Sequence, residues 1–458
     1  MPRRDPGADT IVGIATPAGT SAIGVIRISG PRAIPIASEI LRLRGPGGLE
    51  GCAPRRLCLA TVIDPSSGEE VDRALAVKMP GPFSYTGEDV AEISCHGNVV
   101  LLGELVRLLV LGGARLAEPG EFTRRAYLNG RMDLLQAEAI AELISARTER
   151  AVRLAARQLR GGLSGEVASL REQVLDLVAG LEVTLDFPEE EVGVSRKEAA
   201  KRVEAALSRS DRLLVNASHG RAIHDGLTVV LAGAPNVGKS SLLNRLLGKE
   251  RAIVSGIPGT TRDLVEGTIV MDGVPVRFVD GAGLGMPRDD IDAEGMRRMR
   301  GAVTESDLAL VILDASREIS PADREILELT ADMDRLVVAN KRDLPPAWQS
   351  DAPPTDRACS ALTGEGLEMV RGSLEKWVEH RTARDGDEGG VVASLRVLER
   401  FEAVRAALSR VASALEDIPI EAALVDLRQA LSEMDRIVGI EADEAVLDRI
   451  FSTFCIGK

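Results

Sequence analysis

The stretch LTVVLAGAPNVGKSSLLNRLLG, residues 227–248, decides the fold of the middle of this chain. It opens on an apolar, β-branched run and closes on leucines at helical spacing. Between the two, Gly233 to Ser240 fits G-x-x-x-x-G-K-[ST]. A loop that turns a strand into a helix through glycines points its backbone N–H groups at one spot. The helix N-terminus adds partial positive charge there, so the spot attracts phosphate oxygens. Asn236, Val237 and Gly238 belong to this loop, with Lys239 placed to reach outer phosphates and Ser240 to ligate Mg²⁺, followed by Ser241. The match predicts a Ras-like P-loop domain built on a central β-sheet.

Further pieces follow in order. VRFVDGAG, residues 276–283, ends a strand on Asp280 and Gly283, a D-x-x-G that senses Mg²⁺ and the outermost phosphate. LVVANKRD, residues 336–343, ends a strand on Asn340, Lys341 and Asp343. A carboxylate at Asp343 accepts both hydrogens from guanine's ring N–H and exocyclic amine, a donor pair that adenine lacks, so the motif specifies GTP. CSALTGEG, residues 359–366, supplies Ser360, Ala361 and Leu362, whose backbone can contact the guanine carbonyl. Between the first two motifs, SGIPGTTRD at 255–263 is a Gly-rich loop in which Thr261 adds a hydroxyl for Mg²⁺; a loop ordered by the last phosphate is a switch. Behind it, Asp272-Gly273 in MDGVP signals a type I′ hairpin turn. Leu284 stands where Ras-like GTPases carry a water-orienting glutamine, and only Arg262 is a weak candidate for an arginine finger.

Outward from this core the chain has 458 residues, 45% hydrophobic and 28% charged, with a net charge of −14. Such a composition suits several buried cores and excludes a disordered chain. The acidic balance excludes nucleic-acid binding by overall field, so a local patch or a partner must supply it. Aromatics make up 2%, too few for a base-stacking platform. Five cysteines, none in a C-x-x-C pair, argue against a zinc site or disulfide framework and for a reducing cytoplasm. No apolar run approaches a membrane span or a signal peptide.

Residues 9–125 alternate short β-branched runs with turns, and NVVLLGELVRLLVLGG, 98–113, reads as a helix closed by glycine. Asp133 and Gln136 form a capping box for a helix expected over 134–160. Apolar residues at helical spacing continue to about 220 and return after the polar linker ARDGDEGG, 383–390. The expected organisation is 1–125, mixed α/β; 126–221, helical; 222–384, the inserted nucleotide domain; and 385–458, helical again. His96 reads as a turn residue before Gly97, and His219 and His224 as linker residues. Cys95 and Cys359, beside strands, read as buried packing.

With DTIVGIATPAGTSAIGVIRISG (9–30), SYTGEDVAEISCHG (84–97), PGEFTRRAYLNGRMDLLQAEAI (119–140), the inserted nucleotide domain and the terminal FCIGK (454–458) all in order, the chain closely resembles the MnmE (TrmE) family of tRNA-modification GTPases over nearly its full length. The resemblance implies an N-terminal folate-binding and dimerisation domain, a helical domain split by the G domain, and a homodimer. It implies a partner, MnmG, an FAD protein that uses NADH, and joint attachment of an aminomethyl-type group to carbon 5 of the wobble uridine of certain tRNAs. A tetrahydrofolate derivative supplies the one-carbon unit. It further implies K⁺ beside the phosphates, held by Asn236 and by switch-loop ligands at Ser255, Ile257 and Thr260. Asp292 aligns with the family's water-orienting glutamate, one methylene shorter, so either the loop compensates or Glu294 or Asp290 acts instead; Gly281 replaces a usual threonine. Folate contacts carry over to Arg27, Glu92, Arg131 and Lys458. Cys455 is placed for chemistry, by adding as a thiolate to the uracil ring.

Two readings compete with this one. A nucleotide-switched ribosome-assembly GTPase would share the G-domain motifs but not the N-terminal block or FCIGK. For the tail, CIGK puts cysteine at a prenylation position but lacks the aliphatic residues that reaction needs. A frayed end would expose Phe451, Phe454 and Ile456, so the tail is expected to dock.

Overall fold

The computed structural model describes residues 9–44, 46–187, 193–248, 265–280, 300–348, 355–382, 394–415 and 419–458. They form two compact units. The first comprises Met1–Ala141, Leu159–Ala206 and Ala403–Lys458, the second Glu142–Gln158 and Leu207–Glu402. These units do not follow the four expected segments, since 142–158 and 207–221 group with the nucleotide-binding part.

The first unit holds a seven-stranded sheet of β1 (Ile11–Ile14), β2 (Ser21–Ser29), β3 (Leu41–Leu43), β4 (Cys58–Ile63), β5 (Glu70–Met79), β6 (Val90–Gly97) and β7 (Arg115–Leu116). The order is β3-β4-β5-β6-β2-β1-β7, antiparallel except for the β1–β7 pair. Alternation along each strand makes the two faces unlike. Ile26, Ile28, Val62, Ala76 and Ile93 pack against helices Ala33–Glu39 and Val99–Leu111. Asn98 starts the second of these helices by accepting from Val100 N and Leu101 N. The opposite face carries Arg27, Glu92, Leu59 and Leu75, and the two leucines are register partners, 70% and 43% exposed. His96 lies within β6 rather than in a turn, its ring Nδ1 2.7 Å from Asp72 Oδ1.

The helices of this unit bury one stripe each. Leu163, Val167, Leu170, Val174, Leu177 and Leu181 line helix Gly162–Asp186 at three- and four-residue spacing. Its partner Ile420–Val438 offers Ala423, Leu427, Ala430, Met434 and Ile437, and Arg171 pairs with Asp435 at 2.6 Å alongside. The helix expected over 134–160 is two, Leu134–Ser145 and Glu149–Leu159. Thr148 explains the break: its Oγ1 accepts from Ala151 N and restarts the helix as a cap. The Asp133–Gln136 capping box is present in both directions. His219 and His224 belong to helix Arg196–Asp225 and not to a linker.

In the second unit, β8 (Leu227–Ala232), β9 (Val265–Met271), β10 (Val274–Asp280), β11 (Leu308–Asp314), β12 (Arg335–Asn340) and β13 (Arg357–Ala358) form a sheet in the order β13-β12-β11-β8-β10-β9. Only the β9–β10 hairpin is antiparallel. Its turn is Asp272-Gly273, both at positive φ, 48° and 71°, as a type I′ turn requires. Both faces are covered, so β8 and β11 read as continuous apolar runs. The carboxyl ends of β8, β10, β11 and β12 carry Gly233, Asp280, Asp314 and Asn340 to one edge of the sheet, where doubly wound folds bind ligands.

Candidate functional site

The phosphate loop leaves β8 at Gly233. Asn236 and Gly238 take left-handed φ, 63° and 99°, and Gly238 caps helix Lys239–Leu247 without any side-chain hydrogen bond to the first turn. Those first-turn N–H groups therefore open into the loop, the arrangement a phosphate needs. Lys239 Nζ folds back over the loop, donating to the carbonyls of Gly233 at 2.8 Å and Ala234 at 3.2 Å. Val237 is buried, whereas Asn236, Ser240 and Ser241 are exposed.

Asn340, 1% exposed, joins this loop to the 359–366 loop expected to meet the base. Its amide nitrogen donates to Val237 O at 2.8 Å, and its amide oxygen accepts from Ala361 N at 2.9 Å. The Ala361 N–H, expected at the guanine carbonyl, is thus engaged by Asn340. A side chain on Gly238 would run into that amide, so the residue must be glycine for packing as well as for φ. Ser360, fully buried, donates from Oγ to Asp343 Oδ1 at 2.5 Å and accepts from Thr363 N at 3.1 Å. This fixes the carboxylate that the sequence assigns to guanine. Leu362 is 72% exposed, and its carbonyl accepts from Arg245 in the helix after the phosphate loop.

Lys341, at φ 65°, places Nζ 2.7 Å from Asp314 Oδ2. Burial pushes the Asp314 carboxyl up, but hydrogen bonds from Lys341 and Ser316 outweigh it and hold the group below the usual carboxylate range. The Trp348 indole N–H donates to the carbonyls of Asp314 and Arg317 and ties down the segment after Asp343. Asp314, Arg245 and Trp348 were not singled out from sequence; only the apolar run ending in Asp314 could have pointed to one of them. Asp280 ends β10 with 6% exposure. Ser240 and Asp280 are the described residues that fit Mg²⁺. Ser255, Ile257, Thr260, Thr261, Gly283 and Asp292 lie outside the described residues.

The other unit gathers the second set of expected residues. Arg27 and Glu92 are register partners on β2 and β6, Nε to Oε1 2.8 Å. The guanidinium lies over the rings of Tyr85, at 5.0 Å, and Phe122, at 5.8 Å. It also donates from Nη1 to Gly457 O at 3.4 Å, so the FCIGK segment does dock. Phe122 N donates to Lys458 O at 3.2 Å, and Gly457, at φ 97°, lies so close to Ile14 O that no Cβ would fit. Phe451 and Phe454 are buried together, with ring centroids 5.6 Å apart. Cys455 is exposed. Arg131 is exposed as well and lays its side-chain stem against Gly87, without joining Arg27 among the described contacts.

Beneath this site the sequence reading missed a buried cation. Arg125, 1% exposed, reaches Asp9 at 2.6 Å, Glu121 at 2.9 Å and Glu88 at 3.2 Å. Burial raises Glu121 and Asp9, but Arg115 and Arg125 hold both carboxyls below their ordinary values. The cluster fixes the loop of Glu88 and Tyr85 on which Arg27 rests. Elsewhere, Cys95 and Cys359 are buried and pushed up to about 11, as inert packing thiols are.

A family model described as the MnmE helical domain matches residues 134–455, and one described as the GTP-binding protein TrmE N-terminus matches 10–131. This chain belongs to the MnmE family. The relative from Moorella thermoacetica, named tRNA modification GTPase MnmE, is 41% identical over 463 residues, covering 98% of this chain and 99% of its own length. The relative of the same name from Symbiobacterium thermophilum is 42% identical and covers 99% of this chain and all of its own. Like its MnmE relatives, the chain is a GTPase of tRNA modification. Among solved structures, Aquifex aeolicus Era bound to GDP and aluminium fluoride shares 27% identity over 40% of this chain and 66% of its own, with a TM-score of 0.27. No described helix is long and apolar enough to cross a membrane.

Proposed function

We propose that the chain couples GTP hydrolysis to modification of carbon 5 of the wobble uridine in certain tRNAs, with a tetrahydrofolate derivative as one-carbon donor. The observation that carries this reading is the docking of residues 454–458 against Arg27, itself paired with Glu92, and against Phe122. A pterin presents a guanine-like pair of donors, which suits the Glu92 carboxylate, while Arg27 and the Lys458 ammonium suit the acidic tail of a folate. Bound there, the folate supplies the one-carbon unit. The chain's own groups orient it, and Tyr85 and Phe122 exclude water from one side. The exposed Cys455 is the thiol placed to add to a uracil ring.

In the G domain, Lys239 and the uncapped first turn hold the phosphates, and Asp343, fixed by Ser360, selects guanine. Mg²⁺ would be held by Ser240, Thr261 and Asp280, and K⁺ by Asn236 with Ser255, Ile257 and Thr260. Both cations supply neutralisation of charge on the phosphates. Asp292 is the residue assigned to orient the attacking water. As sequence segments, distinct from the two compact units, the proposed domains are 1–125, 126–221, 222–384 and 385–458. The chain works in the cytoplasm as a homodimer with MnmG, and the apolar sheet face bearing Leu57, Leu59, Leu75 and Ile23 supports self-association.

Calorimetric titration with 5-formyltetrahydrofolate tests the reading directly. Binding that is lost in Arg27→Ala and Glu92→Gln supports it. No binding by the parental chain, together with an unchanged wobble-uridine profile in tRNA from a deletion strain, would sink it.

A further inference from the structure

Cys52 and Cys58 stand at the two ends of the turn that joins helix Gly48–Gly51 to β4. Backbone bonds fix this turn: Cys52 N donates to Leu49 O at 3.2 Å, Arg56 N to Ala53 O at 3.3 Å, and Arg55 N, at φ 59°, to Lys78 O at 2.8 Å. The turn brings the two half-buried sulfurs to 2.6 Å, the Cys58 thiol facing Cys52. That is closer than unbonded sulfurs pack, and a short movement from the ~2.05 Å of a disulfide. A thiolate metal site would need three or four ligands. Among the described residues no third His, Cys, Asp or Glu joins the pair, so a metal does not suit it.

We propose that Cys52 and Cys58 form a reversible disulfide, which makes this turn a thiol-oxidation site of the chain. The oxidant is a low-molecular-weight disulfide such as oxidised glutathione. One cysteine thiolate attacks a sulfur of the oxidant, forms a mixed disulfide and expels the first glutathione thiolate. The second cysteine thiolate attacks the protein sulfur of that mixed disulfide, closes the Cys52–Cys58 bond and expels the second glutathione thiolate. The two leaving thiolates take up the two protons that the cysteines released, and the two electrons pass from the protein thiols to glutathione. Cys58 sits between Leu57 and Leu59, which are 60% and 70% exposed, so the closed ring fixes the entry to the open face of the sheet.

The test uses the full chain, oxidised glutathione, alkylation with iodoacetamide, and peptide mapping by mass spectrometry. Expected is a Cys52–Cys58 link, lighter by two hydrogens and reversed by dithiothreitol, while the exposed Cys455 carries glutathione. Cys52→Ser and Cys58→Ser should each stop at the mixed disulfide on the remaining cysteine. Alkylation of both Cys52 and Cys58 under conditions that glutathionylate Cys455 would overturn the proposal. So would separate glutathione adducts on the two, or a link from either to another cysteine.

Discussion

At the residue scale, Asn340 separates two roles that one motif conceals. It binds the phosphate loop at Val237 and the 359–366 loop at Ala361, whereas Asp343, held by Ser360, is the residue proposed to read the base. Asn340→Ala should therefore weaken GTP and GDP alike, by about 10- to 100-fold for two buried hydrogen bonds. Asp343→Asn should instead exchange GTP for XTP preference, because an amide offers the base a donor where the carboxylate accepts. Isothermal titration with the three nucleotides tells these apart, and equal losses of GTP and XTP in Asp343→Asn would refute its assignment. Asp314 carries a pH signature. Its folded carboxyl titrates below its unfolded value of about 3.9, so the stabilisation is complete above that pH. It is lost as pH falls through the folded value. Asp314→Asn should cost about 1–3 kcal/mol in urea unfolding at pH 7, and the gap should close in acid. These side chains explain what was legible. Lys239 and Asp343 sit in motifs whose spacing backbone geometry imposes, so their positions, at the start of the helix after the phosphate loop and just past β12, can be read from a string of letters. Asn340, Ser360 and Arg245 act through partners up to 117 positions away, which no local pattern records.

At the scale of elements, strands, turns and caps followed local chemistry closely. The Asp272-Gly273 turn, the Asn98 cap and the Asp133–Gln136 box are each set by a few adjacent residues. The helix break at Thr148 was missed because a single hydroxyl cap competes with an otherwise unbroken apolar period. The FCIGK segment, 454–458, shows the same contrast. Phe451 and Phe454 foretold docking and are buried, but Ile456, expected to be covered with them, stays 57% exposed, and the acceptor surface of Arg27, Phe122 and Ile14 was not readable from them. Gly457→Ala should lift this segment off β1, since a Cβ there meets Ile14 O and φ 97° disfavours any side chain. A fall in folate affinity of about tenfold or more is expected for loss of the Arg27 contact, with GTP turnover unchanged. Unchanged folate binding would mean that the segment is structural only.

At the scale of the whole molecule, the open sheet face is the feature with most left to do. Leu59 and Leu75 are paired across β4 and β5 and exposed together. If the proposed homodimer meets on this face, Leu59→Asp should convert it into monomers in sedimentation-velocity experiments, because a charge in an apolar contact is costly to desolvate. A variant that sediments like the parental dimer would place the contact elsewhere. GTP turnover should rise in KCl over NaCl if Asn236 helps to hold the cation, and equal rates would count against that role.

The Arg27–Gly457 contact spans 430 positions of sequence. The N-terminal strands leave the ribosome first, and domains fold largely in order of synthesis at about 5–20 residues per second. Some 20–90 s then separate the emergence of Arg27 from that of its partner, by the same rates. Each newly made molecule thus passes through a period in which the guanine-binding motifs have already emerged while the Arg27 surface still awaits Gly457. A chain released early, by a stop codon or a stalled ribosome, would keep that state permanently, as a nucleotide-binding protein unable to assemble its other site.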